Sequence, residues 1–360
     1  MTYDIAIVGA GIAGASLAAA VAPHARVLLL EAEDQAGYHA TGRSAAFWSE
    51  TYGGPGIQPL TSASEAALRE GGFLEPLGSL HIGRAQDAAR IDAFLAAFDG
   101  TSVALARVDP SASIPGLRPE WTLGVSEPSC AYIDVAALHA ACLASVRRAG
   151  GTIATRASLD SASRADGMWT IATPSGDYRA AVLVNAAGAW ADPVAERAGA
   201  RPLGIQPYRR TIAQIRTDPP AAADLPHVAD ISGKFYFKPE SGGRLWLSPH
   251  DETPVDPCDA AAEELDVAIA IDRFEQVVDW RVAAVERSWA GLRSFAPDRL
   301  PVYGFDPGVP GLFWCAGQGG FGIQTAPAGA AVAASLLLGS VLPAGFEGVD
   351  PDRYAPGRFA

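Results

Sequence analysis

The chain has 360 residues, 49% of them hydrophobic, with a formal net charge of −13 at pH 7 and a pI of about 4.9. That length supports two domains or one large one with a sizeable core, and the composition excludes intrinsic disorder. An acidic balance without a basic cluster excludes a nucleic-acid binder of the usual electrostatic kind, so any anionic ligand must be captured by local arginines.

In chain order, an apolar strand from Tyr3 runs into Gly9-Ala-Gly-Ile-Ala-Gly14. A helix is expected over Ile12 to Val21, and a second strand, Arg26 to Leu30, ends at Glu31. Each glycine has a physical task. Gly9 allows the tight turn, Gly11 lets a pyrophosphate approach the backbone, and Gly14 lets the helix pack on the sheet. Glu31 is placed to accept from ribose hydroxyls at the usual spacing of about 20 residues. The unit predicts a dinucleotide site.

Residues 32 to 61 read as loop, with Thr41-Gly-Arg-Ser44 and Tyr52-Gly-Gly-Pro55 inside. A helix follows over Thr61 to Glu70, a strand over Leu80 to Arg84 and an amphipathic helix over Asp87 to Phe98, then loop to Ser129. Val135 to Arg148 predicts a helix closed by Gly150-Gly151, and Thr152 to Thr155 a short strand. Met168 to Ala172 and Asp177 to Ala180 flank Pro174-Ser-Gly176 as a hairpin. Ala181 to Asn185 is a continuous apolar strand, of the kind buried in a parallel sheet.

Arg210 to Thr217 and Lys234 to Pro249 alternate like antiparallel strands, with Ser241-Gly-Gly243 as a turn. Ala261 to Asp279 reads as a helix. A strand over Gly311 to Ala316, a turn over Gly317-Gln-Gly-Gly320 and a helix over Ile323 to Leu338 close the pattern. Ala330 to Leu338 is too short to span a bilayer, and the first residues already form the nucleotide strand rather than a signal peptide. A cytoplasmic location without an integral membrane segment is the expectation. Neither the six histidines nor the four cysteines show metal-ligand spacing, so no metal site is expected.

Three separated motifs agree: Gly9 to Gly14 with Glu31, Val184-Asn-Ala-Ala-Gly-Ala-Trp190, and Ala316-Gly-Gln-Gly-Gly-Phe-Gly322. Together they resemble the FAD-dependent D-amino acid oxidase, glycine oxidase and sarcosine oxidase family over nearly the whole chain. The stretches Gly37 to Ala46, Tyr178 to Trp190, Trp289 to Phe295 and Gly317 to Thr325 are most similar to the bacterial D-arginine dehydrogenases of that family.

The resemblance implies an α/β fold. It has a discontinuous Rossmann-type FAD-binding domain of the glutathione-reductase kind (1–78, 132–205 and 288–360). An inserted α+β substrate domain (79–131 and 206–287) carries an antiparallel sheet. It implies non-covalent FAD, which agrees with reading Cys315, inside Leu312-Phe-Trp-Cys315, as a core thiol rather than a flavin tether. The implied cofactor residues are Gly9, Ala10, Gly11, Ile12, Ala13, Gly14, Glu31 and Ala32 at the adenosine end. Thr41, Gly42, Arg43, Ser44, Ala45 and Ala46 follow at the pyrophosphate and flavin. Ala187, Gly188, Trp190, Gly291 and Arg293 come next, then Gly317, Gln318, Gly319, Gly320, Phe321, Gly322 and Ile323. A positive helix end after that last turn would stabilise negative charge on reduced flavin.

For the substrate the resemblance implies Arg210 and Arg293 as carboxylate forks, with Arg209 the alternative if the strand register differs by one. Tyr52 and Tyr236 would bring hydroxyls, and Gly320 a backbone carbonyl for the amine. The chain departs from the D-arginine enzymes at two positions: Phe47 where they have a histidine, and Ser79 where they have an acid that reads the guanidinium. Phe47, Trp48 and Leu80 would then make a more apolar pocket. The expected reaction is oxidation of the amine carbon of a small D-amino acid, neutral or apolar, by hydride transfer to flavin N5. The imine then hydrolyses to a 2-keto acid and ammonia. The electron acceptor stays open between oxygen, a quinone and others. Two alternatives remain: a 2-hydroxy acid dehydrogenase or oxidase on the same arginines, and a non-catalytic flavin-binding redox subunit.

Overall fold

A computed structural model describes residues 2–45 and 47–359; the expected cofactor residue Ala46 lies outside them. The parallel core is built in the order Thr152–Ala154, Val27–Leu30, Thr2–Val8, Gly176–Asn185, Leu312–Ala316. These strands are apolar on both faces because both are covered. On one side pack Ile12–Val21 and Ala326–Leu338, two helices rich in Ala and Gly whose small side chains let them approach the sheet and each other. The other side holds Trp169, Trp314, Ala191, Val194 and Ala195. Deleting the fully buried Leu17 side chain would cost about 3 kcal/mol.

The expected hairpin forms. Met168–Thr173 pairs antiparallel with Gly176–Asn185, which then continues as one ten-residue strand into the parallel sheet rather than breaking at residue 180. The strand Ser161–Ala165 extends its edge.

A second, ten-stranded sheet is antiparallel except for one pair: Ser79–Gly83 runs parallel to His227–Asp230. That pair joins two stretches far apart in sequence. Around it lie the hairpin Tyr236–Glu240 and Arg244–Ser248, turning at Gly242 and Gly243, both with positive φ. Two long strands, Gln206–Asp218 and Arg281–Phe295, pair antiparallel along their length. The expected boundaries 78/79 and 205/206 coincide with strand starts, whereas 131/132 and 287/288 fall inside strands. The fold is therefore α/β with an antiparallel sheet, as the sequence predicts.

Several elements differ from expectation. The helix read over 261–279 covers only Glu264–Glu275. The C-terminal helix starts at Ala326 rather than Ile323, with Pro327 in its first turn. The loop before Ser129 holds two short strands, Ala106–Val108 and Leu123–Glu127. No helix among the described residues is long and apolar enough to cross a membrane.

Candidate active site

A cleft of about 440 Å³ runs from the first glycine turn to the antiparallel sheet. At its nucleotide end Gly9 has φ +103°, and a Cβ there would overlap the Ala186 carbonyl. Gly14 is forced by the Gly9 carbonyl, so it serves helix packing. Gly11 is different: a Cβ would meet only Thr41 Oγ1, at 3.2 Å, and the residue lines the cleft. Glu31 is buried at the end of its strand and accepts from the Ala10 amide at 3.1 Å and the Glu33 amide at 3.0 Å. Its carboxylate is thereby oriented, and Glu31 lines the cleft beside Ala32 and Glu33.

Thr41 joins this end by accepting the Ile12 amide at 2.9 Å through Oγ1. Arg43 lines the cleft, with its guanidinium held by the segment at 259–260. It donates to the Ala260 carbonyl at 2.7 Å and pairs with Asp259, which fixes the 37–45 loop to the segment at 259–260. Ser44, Ala45, Ala187, Gly188, Trp190 and Gly291 line the cleft, as do Ile12, Ala13, Gln318, Gly319, Gly320, Gly322 and Ile323. Ala10, Gly14, Gly42, Gly317 and Phe321 do not: Ala10 is closed off by Glu31 and by His139, whose Nε2 donates to its carbonyl. Cys315 is buried, which pushes its thiol up to about 12 and keeps it a neutral core group.

The far end holds the arginines. Side chains alternate along a strand, so Arg210 and Arg209 face opposite ways. Arg209 pairs with Glu263 and with Asp266 at 2.9 Å on the helix side, and Arg210 faces the cleft. Arg210 sits opposite Gly291, two residues from Arg293 on the neighbouring strand, which makes the two guanidiniums diagonal neighbours. Both are nearly buried, at 5% and 8% exposure.

Arg210 Nε donates to the Asp251 carbonyl at 2.8 Å. Arg293 donates through Nη2 to the Tyr52 hydroxyl at 3.0 Å and through Nη1 to Glu252 at 2.7 Å. Arg210 Nη1 and Arg293 Nε remain buried without a partner. Burial pulls the Arg293 guanidinium below its usual range; Tyr52 opposes that and the neighbouring Arg210 charge adds to it. A buried cation pair with unmet donors is stabilised by an anion, and a carboxylate matches the fork.

Phe47 packs against Tyr52, His227 and Tyr236 with ring centroids 4.9, 4.2 and 6.0 Å away, and Phe47, Tyr52, Tyr236 and Ile212 line the cleft. Ser79 does not reach it. It is buried behind Phe47, where its Oγ lies 3.0 Å from His227 Nδ1. Trp48 and Leu80, expected in an apolar pocket, are also turned away. The Trp48 indole donates to the Thr61 carbonyl in one core cluster, and Leu80 packs in another. Burial holds His227 well below the usual imidazole range, so it is neutral. His250, beside the arginines, is lowered to about 3 by burial and by the charges of Arg210 and Arg293.

Two residues absent from the sequence reading position Tyr52. Glu127, fully buried, accepts from the Glu50 amide at 2.7 Å and from the hydroxyls of Ser49 and Thr51 at 3.0 and 2.6 Å. Gln324 donates to the Tyr52 carbonyl at 3.1 Å and lines the cleft. The first lies in a stretch read as loop. The second lies inside the Gly317 to Thr325 motif, whose glycines carry the stronger signal.

The family model for FAD dependent oxidoreductases, DAO, matches residues 4–336. The chain is 31% identical to mouse FAD-dependent oxidoreductase domain-containing protein 1 over 196 residues, which is 50% of this chain and 39% of that protein. It is 30% identical to glycine oxidase from Pseudomonas aeruginosa over 193 residues, 52% of this chain and 48% of that one. The matched stretch thus spans less than half the length of these relatives. The crystal structure of glycine oxidase from Geobacillus kaustophilus superposes with a TM-score of 0.81 at 24% identity, over 94% of this chain and 95% of the other. The open Gly11 position, the buried Glu31 carboxylate and the long groove beyond them fit a dinucleotide, and with a family match over most of its length the chain belongs to the DAO family of FAD-dependent oxidoreductases, with FAD as its cofactor.

Proposed function

We propose that this protein oxidises the amine carbon of a small amino acid, of D configuration and with a neutral or apolar side chain. The observation that carries this reading is the pair of buried, cleft-facing arginines, each with a nitrogen left unpartnered. A carboxylate held there places its α-carbon over the glycine turn at 318–320. The residues at the arginine end, Phe47, Ile212 and Tyr236, offer rings and methyls. Among the described residues lining the cleft, the carboxylates are Glu31 and Glu33, both at the nucleotide end. At the arginine end Glu252 is already engaged by Arg293, Arg210 and Arg299, so a cationic side chain would lack a free charge-assisted partner, a loss of about 2 kcal/mol or more. The D configuration rests on the motif resemblance of the stretches around Arg43, Arg293 and Gly320.

FAD, when bound, supplies the hydride acceptor. The chain supplies orientation and electrostatics. Arg210 and Arg293 fix the carboxylate. The Tyr52 hydroxyl accepts from Arg293 and keeps its own proton to donate to that carboxylate. The Gly320 carbonyl would accept from the amine, which needs no strong side-chain base if it binds neutral. Steady-state kinetics across D-Met, D-Phe, D-Pro, glycine, D-Arg, the L-enantiomers and 2-hydroxy acids test this. D-Arg, an L-amino acid or a hydroxy acid as clear favourite would overturn the substrate assignment.

A further inference from the structure

The partner of the paired arginines is a carboxylate of the chain itself. Glu252 Oε1 accepts from Arg293 Nη1 at 2.7 Å, from Arg210 Nη2 at 3.5 Å and from Arg299 Nη2 at 2.9 Å, and Oε2 accepts from Arg299 at 3.0 Å. One carboxylate thus serves three guanidiniums. The partners differ in burial: the Arg210 and Arg293 side chains are 6% and 9% accessible, Glu252 34% and Arg299 47%.

The backbone beneath Glu252 is fixed. Asp251 accepts from the Thr211 amide at 2.8 Å and hydroxyl at 3.1 Å, and its own carbonyl takes Arg210 Nε. The Glu252 side chain has no such anchor; among the described residues it is held by the three arginines. It approaches from the solvent side, while the buried Arg210 Nη1 and Arg293 Nε remain unmet. An ion bridge built only for stability would satisfy those inner donors. This one leaves them unpartnered and occupies the other edges of the same two guanidiniums.

We propose that Glu252 is a specificity-determining residue: an internal carboxylate that competes with ligand carboxylates for Arg210 and Arg293. Ligand binding moves it outward, where Arg299 retains it in a two-oxygen contact. Arg299 is itself braced by its stack on Phe295, 3.8 Å from the ring centroid. Glu252 thereby sets the affinity floor of the anion site. It disfavours weak monoanions and admits ligands whose remaining groups add contacts in the cleft. The inference rests on the reading of the two arginines as the carboxylate site.

The test is acetate binding to the FAD-loaded protein by titration calorimetry, which needs no turnover. Glu252→Gln removes the competing charge at constant size, and Glu252→Ala repeats the test should the glutamine variant fold poorly. Acetate affinity is expected to rise about tenfold in both, as expected for loss of a charge-assisted competitor. The gain should disappear when Arg293→Met is added to Glu252→Gln. Acetate affinity unchanged or weaker in both single variants would overturn the inference and make Glu252 a support for the arginines instead. Tighter acetate binding in a protein that no amino acid reduces would leave the inference standing and remove the amine-oxidation reading. Reduction by amino acids without tighter acetate binding would do the reverse.

Discussion

The Arg293 guanidinium lies directly against Gly320, where a Cβ would overlap both Nε and Nη2. The glycine turn and the carboxylate fork are therefore one unit. Gly320→Ala should push Arg293 away from Tyr52 and lower kcat/KM about a hundredfold, the scale of an ångström misplacement in a positioned site. FAD content, read from the visible absorbance of the purified variant, should hold. Loss of FAD with normal kcat/KM after reconstitution would contradict this division of labour.

Arg210 and Arg209 are adjacent in sequence and opposed in space, so they should separate cleanly. Arg210→Met should raise KM roughly thirtyfold, since a charge-assisted hydrogen bond of about 2 kcal/mol is lost. Arg209→Met breaks contacts to Glu263 and Asp266 on the helix side and should leave KM within about twofold while lowering the thermal midpoint. Equal KM effects would place both side chains on one site.

That pair also shows what the sequence made legible. The double arginine was visible, but a one-residue register slip reverses every side chain, so only the pairing with Arg281–Phe295 resolves which one faces inward. That partner strand carries no strong sequence signal, for a physical reason. Residues 281–288 are exposed or half-exposed on both faces, so no apolar alternation marks them. The first βαβ unit was read within a residue or two, because strands buried on both faces and a glycine turn leave strong local signals. The resemblance puts Ser79 at the substrate, and adjacency to Phe47 puts Trp48 there. The sheet instead turned Ser79 toward His227 and Trp48 toward Thr61. Glu127 has no local signal, since its partners in the 49–51 turn lie 76 to 78 residues away and His81 lies 46 away.

Glu127 is the buried anchor of the 49–52 turn. Glu127→Ala leaves backbone and hydroxyl donors unmet, and should lower the thermal midpoint by roughly 5 °C or more. Because Tyr52 follows that turn, KM should rise as well. An unchanged midpoint, measured by thermal unfolding of the FAD-loaded protein, would show that solvent or a rearranged turn replaces the carboxylate.

His250 gives stability a pH dependence of definite sign. Its folded value of about 3 lies below the ordinary 6.5, so the unfolded chain binds a proton first. The stabilising contribution is complete above about pH 6.5 and is lost progressively as pH falls from there toward 3. His227, lowered by burial, acts in the same direction. His250→Asn should flatten the decline in thermal midpoint between about pH 6.5 and 4. A slope identical to that of the unsubstituted protein would assign the acid sensitivity to other groups.

The central claim is that a carboxylate-bearing amine, held on Arg210 and Arg293, delivers its hydride within this cleft. Anaerobic mixing of the FAD-loaded protein with D-Met or D-Phe, followed by absorbance, measures that step without any electron acceptor. The flavin band should bleach with the unsubstituted protein and should bleach far more slowly, or only at much higher amino acid concentration, with Arg293→Met. A flavin that stays oxidised with every D- and L-amino acid tried, or bleaching that Arg293→Met leaves unaltered, would contradict the account.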